Sequence, residues 1–187
     1  VAIGNIAGQS NQGTQSVAIG QQAGVLSQGG SSVAIGVSAG CNAQGGNSVA
    51  IGNSAGQISQ LNASVAIGVQ AGTSNQGASA VALGPRAGIT GQQTYGIAIG
   101  SYAGASNQQA NAIAIGNTAG CNQQCNAAIA IGVGAGSNLQ NIVAIAIGSN
   151  AGFSNQNSNS IAIGGLAGGC LGDPPFGKDL FAVPFAF

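Results

Sequence analysis

"SVAIGVSAGCNAQGGNSVAIG", residues Ser32 to Gly52, states nearly the same phrase twice at an interval of sixteen. Extending that interval in both directions places Val1, Val17, Val33, Val49, Val65, Val81, Ile97, Ile113, Ile129, Ile145 and Ile161 in one column. Ten full repeats run to Ser160, an eleventh opens at Ile161, and the register never slips. Position 2 of the repeat is Ala, position 3 is Ile except at Leu83, and position 4 is Gly. Positions 7 and 8 are Ala-Gly, from Ala7 and Gly8 to Ala167 and Gly168, and position 16 is Ser, Ala or Gly.

These columns decide the fold class. Val/Ile-Ala-Ile alternates and is β-branched, which suits a short strand with positions 1 and 3 on one face. Two fixed glycines per repeat would cost a helix roughly 1 kcal/mol each against Ala, whereas at the corners of a coiling strand they permit positive φ and close backbone approach. Helical repeats need about 33 residues or more, too many for this period. The sequence therefore predicts an all-β chain, a parallel β-solenoid or β-roll of about eleven 16-residue coils over 1–168, followed by a non-repeat tail over 169–187. Coils stacked at about 4.8 Å would make a rod roughly 50 Å long. Within each coil we expect the Val/Ile side chains to point inward and the Ala of position 2 outward. The outward alanines would form a flat apolar stripe for lateral association; a tightly packed second layer inside the coil is the competing reading.

Position 12 is Gln in all ten full repeats: Gln12, Gln28, Gln44, Gln60, Gln76, Gln92, Gln108, Gln124, Gln140 and Gln156. Identical positions of a solenoid sit one above another, so an inward amide can bond along the stack. Alone it would be costly to bury. We expect a structural ladder; a polar turn residue is the plainer alternative.

Composition removes most chemistry. The charged residues are Arg86, Asp173, Lys178 and Asp179, 2% of the chain, where an average domain has about 25%. Regularly recurring aliphatics argue against disorder. A net charge of zero leaves no electrostatic footprint for nucleic acid or an anionic membrane. No apolar run approaches the roughly 20 residues of a membrane helix, and no secretory leader is legible at the start. There is no His and no Glu, and both Asp residues lie in the tail. No acid/base pair or Ser-His-Asp set can be assembled, so we expect no enzyme. No Gly-Lys-Ser/Thr follows any glycine and no carboxylates cluster, so we expect no phosphate loop, metal or cofactor. Asn62 opens an Asn-Ala-Ser acceptor triplet for glycosylation, which chance explains in so Asn- and Ser-rich a chain.

The phrase "SVAIG", at Ser16 to Gly20 and again at Ser32 to Gly36, resembles the head repeat of trimeric autotransporter adhesins of the YadA type and related repeats in viral and phage fibres. The likeness covers Val1 to Gly168. It implies a left-handed parallel β-roll, usually trimeric, in a surface adhesin or fibre.

Cys41 and Cys121 share position 9, five coils apart. At strand spacing that is about 24 Å, beyond the roughly 7 Å reach of a disulfide. Cys121 and Cys125, inside one coil, are the pair that could bridge; free thiols and two soft metal ligands are the alternatives, and two ligands fall short of a structural zinc site. Cys170 falls at position 10 of the sixteen-residue interval, within the tail. Four cysteines in an uncharged Asn/Gln-rich chain lean towards an extracellular or surface setting. The tail gathers Phe176, Phe181, Phe185 and Phe187, apolar surface suited to a cap or an inter-subunit connector. The expected role is a structural subunit of an extracellular fibre or filament whose partner is itself, with adhesion to a receptor or glycan open and without nucleic acid or membrane insertion. One rival is ice binding, for which Thr14, Thr73, Thr90, Thr94 and Thr118 are too scattered. The other is a glycan-binding head, for which Tyr95 and Tyr102 offer a modest aromatic pair.

Overall fold

The computed structural model describes residues 1–168. Each Val/Ile-Ala-Ile triplet is a strand, and eleven of them, from Ala2–Ile3 to Ile161–Ile163, pair in parallel as one long sheet in chain order. Partners are sixteen residues apart without exception, as in Val33↔Val49, Ala34↔Ala50 and Ile35↔Ile51. A second parallel sheet is built from positions 10 to 12, with strands Leu26–Gln28 to Ser74–Gln76 and Asn122–Gln124 to Ser154–Gln156. Single bridges Ser74↔Thr90, Thr90↔Ser106 and Ser106↔Asn122 join its two parts. No helix occurs among the described residues. The sixteen-residue parallel solenoid forms as the period requires.

The facing within the coil is the reverse of the one expected. Ala18, Ala34, Ala50, Ala66, Ala82, Ala98, Ala114, Ala130 and Ala146 are completely buried, and the Val/Ile residues on either side of them are half-buried or exposed. The reason is the width of the interior. The alanines of position 2 face the alanines of position 7, the glycines of position 8 and the glutamines. A Cβ built on Gly40 would stand 3.2 Å from the Ala34 Cβ and 2.6 Å from the Gln44 Oε1. Only a methyl fits between the two layers, so the branched residues must turn outward. The apolar lateral stripe is thus the Val/Ile pair of columns, and the alanines are the inner layer.

Both glycine columns are required by geometry. Gly40 has φ of 51° and its missing side chain leaves the space that Gln44 fills. Gly36 has φ of 130°, open to glycine alone, and a Cβ there would meet the carbonyl oxygen of Gly52 in the next coil at 2.6 Å. Three further corners, at positions 6, 11 and 15, also take positive φ without being glycine in most coils, as in Ser38 at 55°, Ala43 at 57° and Asn47 at 56°. Asn accepts this conformation more readily than other residues, and it recurs at these corners as Asn11, Asn75, Asn107, Asn111, Asn155 and Asn159. The β-branched Ile6, Thr118 and Val143 occupy the same kind of corner at a cost of about 1–2 kcal/mol each.

Candidate functional site

The structure offers two repeating features built by the coil: an inner column of amides and an outer apolar face. Both follow from the same alternation.

The glutamines enter the core from the second sheet. From Gln28 to Gln140 they are at most 2% exposed; Gln156 is buried at 6%, and Gln12 at the start is half-buried. In every full coil the Nε2 donates to the position 1 carbonyl of the same coil, as Gln44 does to Val33 at 2.8 Å and Gln108 to Ile97 at 2.8 Å. This bond ties the second sheet to the first across the interior. A second amide proton then remains. In Gln76, Gln92, Gln108, Gln124 and Gln140 it is directed to the next glutamine's Oε1 at 3.1 to 3.3 Å. The same Nε2 atoms also lie 3.0 to 3.3 Å from the position 16 carbonyl, a shared donation. Gln12, Gln28, Gln44 and Gln60 make no such link to the next coil, and the Oε1 atoms of Gln28, Gln44, Gln60 and Gln76 have no partner.

The outer face belongs to the long sheet. Positions 1 and 3 of eleven consecutive strands project from it, all of them Val or Ile but for Leu83. Most members are half-buried by their neighbours above and below, and Leu83, Ile131 and Ile147 are exposed. Ten steps of about 4.8 Å and a width of about 12 Å give this face roughly 600 Å². Val37, Val69 and Val133 at position 5 are exposed along its margin and widen it. The largest apolar patch of a typical monomer is about 300–600 Å², and patches of this size commonly mark interaction sites. The opposite sheet presents mostly Ser, Thr and Asn at position 10, with Leu26, Ile58 and Leu139 exposed on the same sheet, so it is the more polar of the two.

Arg86 is the one charged side chain among the described residues. Its Nε donates to the Gln70 Oε1 at 2.9 Å, an Nη donates to the Tyr102 hydroxyl, and the guanidinium lies 5.2 Å from the Tyr102 ring centroid. These three residues are successive members of the position 6 column, so the cation is spent on its own stack. Tyr95 is 60% exposed at the other end of the strand Ile97–Ile99. The two tyrosines stand apart, on opposite margins of the face. The five threonines fall in four different columns, and the stack brings no two of them together.

Cys41, Cys121 and Cys125 are free thiols. The Cys121–Cys125 bridge considered from sequence does not form, because the strand Asn122–Gln124 runs between the two residues and holds them apart. Burial pushes the Cys41 and Cys121 thiols up from their ordinary value, so both stay protonated at neutral pH. No group of three metal-ligating side chains occurs among the described residues, and no helix there is long and apolar enough to cross a membrane. Asn62 is exposed, and its Oδ1 accepts the Gly46 amide at 3.0 Å. Phe176, Phe181, Phe185, Phe187 and Cys170 lie outside the described residues.

Comparison with protein-family models, with characterised proteins and with solved structures finds no match to this chain.

Proposed function

We propose that this chain is a structural subunit of an extracellular or surface fibre or filament, whose copies associate laterally through the Val/Ile face. The observation that carries the reading is that face: twenty-odd branched side chains in two straight columns on an eleven-stranded parallel sheet, held outward by a core that admits only Ala, Gly, Ser and Gln. Two such faces brought together would cover about 1,200 Å², the lower bound of a stable protein interface. A rigid sheet has little entropy to lose on association, which favours a tight contact from a modest area. The chemistry elsewhere supports a passive role, since the single charged side chain among the described residues is satisfied within its own column. End-on joining through the phenylalanine tail is the second part of this reading and rests on sequence. Adhesion would then be a property of the polar sheet and turns that remain outside the contact.

Sedimentation velocity of the full chain tests the proposal against a variant carrying Ile67→Lys, Ile99→Lys and Ile131→Lys. All three positions point outward, so the variant should keep its β-sheet circular dichroism. The parent should sediment as a laterally associated multimer and the variant as a smaller species, single rods alone or joined end to end. A monomeric parent at high concentration, or a folded variant that sediments like the parent, would overturn the lateral contact.

A further inference from the structure

We infer that the residue at position 16 decides whether neighbouring coils are clamped through their cores, and that Ser64 accordingly divides the array into a loosely coupled segment, coils 1–4, and a clamped segment, coils 5–10. This goes beyond the fibre reading and does not depend on it.

The correlation runs through every junction between full coils. Five glutamines donate to the next glutamine, and their coils end in Ala80, Gly96, Ala112, Ala128 and Ala144. Four do not, and their coils end in Ser16, Ser32, Ser48 and Ser64. The four unpartnered oxygens belong to Gln28, Gln44, Gln60 and Gln76, each the glutamine that follows one of those serines. A buried carbonyl oxygen left unbonded is uncommon in folded chains. Four of them confined to one end of the rod call for a local cause.

That cause is the place position 16 occupies. A Cβ on Gly96 would stand 3.2 Å from the Gln92 Cγ and 3.3 Å from the Gln108 Oε1, between the glutamines of two adjacent coils. A methyl at this point leaves the two amides free to meet. A serine adds an oxygen whose proton is already committed. Ser16, Ser32, Ser48 and Ser64 donate to the position 13 carbonyl three residues earlier at 2.5 to 2.6 Å. The hydroxyl therefore has no proton left to give the neighbouring Oε1. The preceding amide correspondingly keeps to its own coil. Gln28 and Gln44 reach only the position 1 carbonyl, and Gln60 adds a long contact to the Ser64 carbonyl at 3.4 Å. Serine thus exchanges an inter-coil bond for an intra-coil one.

In a solenoid each coil touches only its neighbours, so junction strength sets where the array opens. Hydrogen–deuterium exchange of the full chain, read by mass spectrometry, measures this coil by coil. One buried amide bond per junction should slow exchange in coils 5–9 by about tenfold relative to coils 2–4, with a step at the junction after Ser64. Fraying from the N-terminus gives a gradual slope instead, and two variants separate the causes. Ala112→Ser removes the Gln108–Gln124 link and should create a fast-exchanging junction in the middle of the rod, where fraying does not reach. Ser64→Ala should move the step one coil towards the N-terminus. Serine and alanine both occur naturally at this position, so both variants are compatible with the fold. Equal protection in the two segments of the parent, or an Ala112→Ser variant with unchanged exchange in coils 7 and 8, would overturn the inference.

Discussion

Placing one aspartate on either of two adjacent residues tests the inward and outward assignment directly. Ala98 is completely buried, and a Cβ on Gly104 across the core would already lie 3.2 Å from its methyl. Ala98→Asp forces added atoms into that gap, costing about 2 kcal/mol in overpacking. It also buries an unpaired carboxylate, at about 3 kcal/mol more. Ile99 stacks outward between Leu83 and Ile115 and is only half-buried. Ile99→Asp loses about half of a full Ile burial, near 1 kcal/mol. Poor strand propensity adds up to about 1 kcal/mol, while the carboxylate itself stays in water. At about 2–4 °C per kcal/mol for a domain of this size, the melting temperature should fall by about 10–20 °C for Ala98→Asp. Ile99→Asp should lower it by about 4–8 °C. The melts are followed by β-sheet circular dichroism in dilute solution, where association does not contribute. Equal losses, or a larger loss for Ile99→Asp, would refute the narrow alanine core.

Three more outcomes rest on other parts of the coil. Gly36→Ala should destabilise more than Gly40→Ala, because the first Cβ meets backbone of the next coil and the second meets the movable end of Gln44; chemical denaturation of the two variants ranks them. Val143→Asn should raise stability by about 1 kcal/mol by relieving a β-branched residue at φ of 57°, and an unchanged or lower denaturation midpoint would contradict the strain. Stability should be flat from about pH 5 to 8, since the chain has no His and no Glu. The raised thiols of Cys41 and Cys121 stay protonated in the folded state while the unfolded chain ionises. Stability should therefore decline as pH rises above the ordinary thiol value of about 8.5, and the decline should shrink when both are replaced by Ala.

The period, the strands, the parallel stacking and the two glycine corners were legible in the sequence, because each repeats without slip and each has one physical reading. The strand's alternation was legible too, but its phase was not. Branched side chains normally mark the buried face, and that expectation outweighed a plainer signal: eleven identical alanines opposite an Ala-Gly pair leave no room for anything larger. The column from Gln12 to Gln156 could be recognised as interior by its invariance. Its principal partner could not, since the position 1 carbonyl lies eleven residues away across the core. Corners at positions 6, 11 and 15 escaped notice because Ser, Ala, Gln and Leu occupy them alongside Asn. Position 16 read simply as small, although the difference between Ser64 and Ala80 separates an unlinked core from a linked one.

Electron cryo-microscopy of the purified full chain tests the central claim most directly. Particles or filaments are expected in which the Val/Ile columns of neighbouring copies face one another, with coils stacked about 4.8 Å apart and the Ser/Asn sheet towards solvent. Separate rods whose Val/Ile columns face only solvent, or assemblies joined through the polar sheet, would contradict it.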